Sequence, residues 1–185
     1  SVMSTCWIAL FRGVNVGGNH KLPMAQLRSM AADLGFTQAR TYTQSGNPLF
    51  HSPLDAQVIE PMLADVVEQQ CGFRPPILLR SLDALNAALA ANPFAARVTD
   101  GKQLHIFFCD GPITWADEAA LRALVVEGED FSVEHHAAGS LCYLFARDGV
   151  GRSRLAEKLP RQLPARHTAR NLNSIEAMIA LAQHE

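Results

Sequence analysis

Residues 7–21 read WIALFRGVNVGGNHK, and this stretch decides how the rest of the chain is organised. Its first five residues are apolar, which predicts a central strand over residues 5–11 that is covered on both faces. The next ten residues hold three glycines, two asparagines and two fixed cations. Because glycine tolerates positive φ and lets a ligand approach backbone amides, this loop has the composition of an anion-holding segment.

Beyond the loop, the apolar spacing predicts two successive rounds of strand, helix, strand, strand, helix and strand. The first round contains the strand at 5–11, a helix from Pro23 to Leu34, strands at 41–43 and 49–51, a helix capped by Asp55 and a strand at 77–80. After a short helix capped by Ser81, the second round contains a strand at 104–109, a helix from Thr114 to Val126 and strands at 131–135 and 141–145. Residues 151–153 then lead into a helix through Leu159, and a strand at 166–169 follows. A final amphipathic helix is predicted to be capped by Asn173 or Ser174.

These two rounds predict an α+β protein with two tandem ferredoxin-like α/β plaits, each in βαββαβ order, and a C-terminal helix. The predicted domains are residues 1–81 for the first plait, 82–101 for a helical linker and 102–185 for the second plait with the C-terminal helix. A single mixed sheet built from both halves is the main alternative, because the two halves share no obvious sequence identity.

Composition narrows the class of protein. The chain has 185 residues, of which 48% are hydrophobic, enough for a substantial core. The formal net charge of -2 disfavours a nucleic-acid binder, although a local basic patch remains open. No apolar run approaches the roughly 18 residues of a membrane span, so no membrane association is expected. Four cysteines stand beside apolar residues and form no CxxC pair, which is typical of buried, reduced thiols in a cytoplasmic protein.

Several motifs resemble the signature of a bacterial family, catalogued as the domain of unknown function 1697. They are ALFRGVNVGG at 9–18, KLPM at 21–24, TYTQSGN at 41–47, GRSRL at 151–155 and TARNLNS at 168–174. The sequence departs from the family pattern at Pro48 and at residues 172–174. The resemblance implies two tandem α/β-plait domains, which agrees with the element order, and it implies no activity.

The first group of candidate ligand-binding residues lies in the glycine-rich loop, with further candidates in the turn after the second strand. A helix beginning near Pro23 would add its N-terminal amides to the loop. The spacing matches neither the Walker loop nor the dinucleotide motif, and a loop whose asparagines bond their own backbone is the alternative. We expect the turn, with Gly46 at positive φ, to lie at the opposite end of the sheet from the loop. The set comprises Arg12, Gly13, Asn15, Gly17, Gly18, Lys21, Gln44, Ser45 and Asn47.

The second candidate set comprises Arg152, Ser153, Arg170 and Asn171. Both arginines stand near predicted helix starts, where the helix dipole disfavours a cation. A bound anion would explain their presence, since arginine pairs with phosphate through charge-assisted hydrogen bonds. We expect the two sets to meet at a cleft between the domains.

These residues predict a cytosolic protein that binds a phosphate-bearing small molecule or nucleotide. An RNA-binding plait is an alternative, with strand aromatics stacking on bases, although the RRM motif is absent and core packing also explains Phe107, Phe108, Tyr143 and Phe145. A protein-interaction module without a ligand is a third hypothesis. No metal site is predicted, because adjacent His135 and His136 point to opposite faces of a strand and no metal-binding spacing occurs. Enzymatic activity, cofactors and oligomeric state stay open.

Overall fold

The structure is a computed structural model that describes residues 3–42 and 46–184. Within these residues the chain forms two four-stranded sheets and six α-helices. Every strand pairing in both sheets is antiparallel. The mixed α+β class and the C-terminal helix are therefore confirmed.

The two sheets have the same internal order. The first contains β1 (Thr5–Phe11), β2 (Thr37–Thr41), β3 (Pro48–Ser52) and β4 (Ile77–Ser81), in spatial order β2-β3-β1-β4. The second contains β5 (Leu104–Cys109), β6 (Glu129–His136), β7 (Gly139–Ala146) and β8 (His167–Asn171), in spatial order β6-β7-β5-β8. The first strand of each round is thus central in its own sheet.

The helices occur in the predicted order along the chain. They are α1 (Met24–Asp33), α2 (Ala56–Cys71), α3 (Leu82–Ala90), α4 (Glu118–Leu124), α5 (Arg154–Lys158) and α6 (Leu172–Gln183). Short 3-10 turns at Gly101–Gln103 and Leu159–Gln162 precede β5 and follow α5. No helix in the described ranges is both long and apolar enough to cross a membrane.

The chain divides into two compact units. The first unit contains residues up to Asn86 together with the chain from Ala177 onward, and the second unit contains Ala87–Glu176. The first unit therefore includes the second half of α6. There, Arg40 of β2 donates a hydrogen bond to the carbonyl oxygen of Leu181.

Each unit has its own hydrophobic core, and the central strand of each sheet contributes residues to it. Alternate residues of β1, such as Ala9 and Phe11, belong to the core that also contains α1 and α2 side chains. Ile8 and Leu10, on the opposite face of the same strand, are also fully buried. A strand buried on both faces has no polar alternation, which is why β1 reads as a continuous apolar run.

The strand aromatics of the second unit are core residues. Phe107, Phe108, Tyr143 and Phe145 are all at least nine-tenths buried. The interpretation as core packing is confirmed, because a buried ring cannot stack on an RNA base. Tyr143 also donates a hydrogen bond from its hydroxyl to the carbonyl oxygen of Ala88, at 2.6 Å.

The edge strand β2 lies earlier than predicted. The prediction placed it at residues 41–43, whereas it spans Thr37–Thr41, and Thr43 lies outside the described residues. The register shifts between Thr37 and Arg40, and Gln38 has a φ of 52°. An irregular edge strand with no fully buried residue carries no clean alternation, so the sequence pattern did not locate it.

Helix faces and caps also differ in detail. Val58 was predicted on the apolar face of α2, but it is exposed, and the buried side is formed by Ile59, Leu63, Ala64 and Val67. The predicted helix start at Thr114 was too early, because Asp117 caps α4 by accepting a hydrogen bond from the Ala120 amide.

The cap of α6 is neither Asn173 nor Ser174. Asn171, the last residue of β8, accepts a hydrogen bond from the Ser174 amide at 2.9 Å. Ser81, the last residue of β4, caps α3 in the same way through the Ala84 amide. In both units a polar residue therefore ends the fourth strand and begins the next helix.

The four cysteines are free thiols. Cys109 and Cys142 are buried as predicted, whereas Cys6 and Cys71 are only half-buried. Burial raises the pKa of Cys142 and, to a smaller degree, that of Cys71. Neither thiol is therefore activated as a thiolate at neutral pH.

Candidate functional site

The glycine-rich loop is a small hairpin rather than an open coil. The Asn15 amide donates to the His20 carbonyl oxygen, and the Asn19 amide donates to the Val16 carbonyl oxygen, both at 3.0 Å. Gly17 and Gly18, between them, have φ values of 58° and 77°. Two successive positive φ angles are the requirement of a tight type I′ turn, so the sequence dictates this shape.

Asn15 ties the loop to the start of α1. Its Oδ1 accepts a hydrogen bond from the Leu22 amide at 2.8 Å, and its Nδ2 donates to the Leu22 carbonyl oxygen at 2.9 Å. Leu22 itself is fully buried. The Asn15 side chain thus bonds backbone, as in the alternative interpretation, although the partner is Leu22 rather than its own backbone.

The turn between β2 and β3 lies beside the glycine-rich loop, so the expectation that it lies at the opposite sheet end was wrong. The Phe11 amide donates to the Gly46 carbonyl oxygen at 3.1 Å, and the Arg12 amide donates to the Pro76 carbonyl oxygen at 3.1 Å. Because β3 and β4 both run antiparallel to β1, each begins where β1 ends. Three connections therefore meet at this end of the first sheet.

Gly46 and Asn47 hold that turn in place. A Cβ atom on Gly46, whose φ is +81°, would lie 2.5 Å from Val14 Cγ2 and 2.8 Å from Phe11 Cβ. Asn47 is fully buried and donates from Nδ2 to the Tyr42 carbonyl oxygen at 3.2 Å. Gln44 and Ser45 of the first candidate set lie outside the described residues.

The exposed side of the loop, which we call the glycine-loop surface, comprises Arg12, Gly13, Val16–Asn19 and Lys21. Lys21 makes no hydrogen bond or ion pair to the part of the chain that the structure describes. The ring of His20 stacks on Phe73 with centroids 4.5 Å apart, which holds the loop against the segment before β4. The surface thus presents positive charge on a preformed backbone.

Part of the second candidate set lines a cavity of about 450 Å³ in the second unit. Its floor is formed by strands β5 and β7, through His105, Phe107 and Leu144. Its rim is the turn from β7 into α5 with the first residues of that helix, namely Val150, Gly151, Arg152, Ser153, Arg154, Ala156 and Glu157.

The cations on this rim have no protein counter-ion. Arg152 and Arg154 are both exposed, and neither makes a hydrogen bond or ion pair to any residue in 3–42 or 46–184. The one acid on the rim, Glu157, already lies near Arg161 and Lys158, at 3.6 Å and 3.9 Å. The rim therefore carries net positive charge toward the cavity.

Ser153 is a helix cap in this structure. Its hydroxyl accepts a hydrogen bond from the Ala156 amide at 3.0 Å, and its side chain is buried. This bond places the turn so that Arg152 and Arg154 flank the cap on either side. Ser153 thus acts on the cavity by fixing its rim.

Arg170 lies away from this cavity. In the sheet, Arg170 is paired with Ile106 whereas Asn171 is paired with His105, and neighbouring residues of a strand face opposite sides. Arg170 is largely buried and donates to the Thr168 hydroxyl at 2.9 Å and to the Ala169 carbonyl oxygen at 2.8 Å. Burial lowers the pKa of Arg170 to about 10.

The sequence reasoning missed His105 as a cavity residue. Burial lowers the pKa of His105, and its Nδ1 atom is buried without a hydrogen-bond partner among the described residues. The only signal in the sequence was a histidine in an otherwise apolar strand, which by itself does not indicate a site. Because burial lowers its pKa, the His105 imidazole is neutral at physiological pH.

The two candidate sets belong to different units. The glycine-loop surface lies in the first unit, and Arg152, Ser153, Arg170 and Asn171 lie in the second. A cleft shared by both sets stays a prediction. In the described ranges, no three His, Cys, Asp or Glu side chains are placed to share a metal ion.

The chain is a mixed α+β protein of two units, each with one antiparallel four-stranded sheet. Residues 3–138 match the family described as "Protein of unknown function (DUF1697)", so the chain belongs to that family and the resemblance is confirmed. A solved structure, that of the conserved bacterial protein SP0830 from Streptococcus pneumoniae, is similar with a TM-score of 0.71. It is 23% identical, over 97% of this chain and 99% of that one, a likeness that bears on fold alone. No curated protein matches the sequence significantly.

Proposed function

We propose that this protein is a cytosolic binder of a phosphate-bearing small molecule or nucleotide, and that the ligand occupies the cavity beside α5. The observation that carries the proposal is the pair of arginines, Arg152 and Arg154, that line one cavity without a protein counter-ion. Exposed arginines on a flat surface are common, but two unpaired guanidinium groups beside one concave space concentrate positive potential there.

The size and chemistry of the cavity support this choice. Its volume of about 450 Å³ lies within the range typical of small-molecule sites. Guanidinium groups match phosphate oxygens in geometry and stay charged at every physiological pH. The floor contributes buried apolar groups from Phe107 and Leu144, against which the uncharged part of a ligand would pack.

The fold provides the frame for the proposal. The strand order in each sheet, with the first strand central, supports two tandem ferredoxin-like plaits. We propose residues 1–81 and 102–185 as the two plaits and residues 82–101 as the linker. The proposed cavity then belongs to the second plait and the glycine-loop surface to the first.

The experiment is isothermal titration calorimetry with inorganic phosphate, ribose 5-phosphate and adenosine monophosphate. Arg152→Ala removes one charge-assisted contact, which contributes roughly 1.5–3 kcal/mol, so affinity should fall about 10-fold to 100-fold. Arg147→Ala is the matched control, because Arg147 is an arginine of the same unit outside the cavity lining and pairs with Asp148.

Equal losses in Arg152→Ala and Arg147→Ala would show that the cavity is not the site. Absence of binding by all three phosphates would overturn the proposed function and leave the protein-interaction hypothesis ahead.

The glycine-loop surface is a second candidate position for the same anion. Its support is Lys21, a cation without a protein partner in the described chain, beside the positive-φ backbone of Gly17 and Gly18. Lys21→Ala in the same titrations separates the two positions. Loss of phosphate binding in Lys21→Ala, with Arg152→Ala unaffected, would move the site to the loop.

A further inference from the structure

The cavity beside α5 has two chemically different parts. Its cations stand on the rim, in the turn between β7 and α5. Its floor is apolar except for one imidazole: His105 and Phe107 alternate along β5 and so face the same side, and Leu144 is paired with His105 across the sheet. A ligand that fills the cavity therefore meets both the positive charge of the rim and the imidazole of His105.

The imidazole lacks a partner that buried polar groups almost always have. More than about nine-tenths of such groups in proteins are hydrogen-bonded to protein or water. His105 Nδ1 is buried without a partner in the described chain, so the nitrogen that a ligand in the cavity can reach is the other one, Nε2. A neutral imidazole offers one nitrogen as an acceptor and the other as a donor. The acceptor nitrogen of such a ring can take a hydrogen bond from a hydroxyl or N–H group, which the dianion of a phosphate ester cannot donate.

The volume also exceeds what an inorganic ion needs. A water molecule takes roughly 30 Å³ in the liquid, and a phosphate has only a few times as many heavy atoms. Most of a cavity of about 450 Å³ would stay unfilled around inorganic phosphate. The remaining space borders Phe107, Leu144 and His105, which suits an uncharged group with one or two polar atoms.

Building on the proposed function of this cavity, we propose that His105 determines specificity by hydrogen-bonding a hydroxyl or N–H group of the ligand. Arg152 and Arg154 would hold the phosphate of the same molecule. The ligand class is then a phosphate ester whose uncharged part carries a hydroxyl or N–H group, such as a sugar phosphate or a mononucleotide, rather than inorganic phosphate.

The test is a comparison of affinities by isothermal titration calorimetry on the full chain. The ligands are inorganic phosphate, ribose 5-phosphate, adenosine monophosphate and adenosine. In the unaltered protein, ribose 5-phosphate should bind at least about tenfold more tightly than inorganic phosphate. Equal affinity of adenosine monophosphate and ribose 5-phosphate would assign the sugar phosphate as the recognised unit, and tighter binding of the nucleotide would assign the nucleoside.

Two variants of His105 separate a ligand contact from a structural effect. His105→Phe keeps a ring and removes both nitrogens, so the affinity for ribose 5-phosphate should fall about threefold to tenfold while that for inorganic phosphate is unchanged. His105→Gln retains an acceptor and a donor and should recover part of the loss. His135→Phe is the matched control, because His135 contacts Ser140 beside the β6–β7 turn and does not line the cavity.

Two results would overturn the inference and leave the proposed function standing. They are equal affinity for inorganic phosphate and ribose 5-phosphate in the unaltered protein, and equal loss for both ligands in His105→Phe. Binding of none of the phosphates would instead overturn the proposed function itself. If His105→Phe fails to fold, the preference of the unaltered protein for ribose 5-phosphate and its reduction in His105→Gln still test the inference.

Discussion

The Gly46→Ala substitution tests how tightly the β2–β3 turn is packed against the end of β1. An L-residue at the observed φ of +81° costs about 1–2 kcal/mol. The new Cβ atom would also lie 2.5 Å from Val14 Cγ2 and 2.8 Å from Phe11 Cβ, closer than real Cβ contacts occur. Overpacking of this kind costs about 1–3 kcal/mol. We expect the free energy of unfolding to fall by about 2–5 kcal/mol.

Gly17→Ala is the matched control for this prediction. Gly17 has a φ of +58°, but nothing lies within 4 Å of a Cβ built on it. Only the backbone term applies, so the loss should be about 1–2 kcal/mol. Urea denaturation followed by circular dichroism measures both changes. Equal losses in the two variants would refute the packing argument, because the backbone term is shared and only Gly46 has neighbours in the way.

Two further predictions concern the second unit. Tyr143→Phe removes the hydroxyl that donates to the Ala88 carbonyl oxygen and leaves that acceptor unsatisfied, so urea denaturation should show a loss of about 1–3 kcal/mol, and no loss would contradict the bond. Because burial lowers the pKa of His105, the unfolded chain binds a proton at a pH where the folded chain does not. The free energy of unfolding should therefore fall as the pH drops below about 6.5, and denaturation at several pH values should show a flatter profile for His105→Gln than for His135→Gln. Identical profiles would contradict it.

The central strands could be predicted because burial on both faces leaves a nearly continuous apolar run. Residues 5–11 show it, and residues 104–109 show it except at His105; both strands have a neighbour on each side in the sheet. Turn chemistry was also informative: Gly46 was predicted at positive φ, and its φ is 81°. These features depend on residues that are close in the sequence or on burial from solvent. Each therefore leaves a pattern in a short stretch of sequence.

The predictions that failed concerned features that depend on how the strands pair in three dimensions. The turn near Gly46 was expected at the wrong end of the sheet, because strand direction rather than residue type decides which connections meet. Arg152 and Arg170 were grouped because both stand near predicted helix starts. In the structure Arg152 lines the cavity, whereas Arg170 lies on the other face of the second sheet. His105 was missed because a cavity is a property of its walls, and Phe107 and Leu144 look like ordinary core residues in the sequence.

The return of the chain from Ala177 onward to the first unit has a consequence for how the protein is made. All four strands of the first sheet are synthesised by Ser81, but the segment that completes their unit follows almost a hundred residues later. At about 5–20 residues per second, the ribosome needs roughly 5–20 s to reach it. During that interval the first sheet has its own core but lacks the hydrogen bond from Arg40 to the Leu181 carbonyl oxygen, so we expect β2 to be less stable than in the full chain. Limited proteolysis of a chain shortened before Ala177 should then show weaker protection of β2 than the full chain shows.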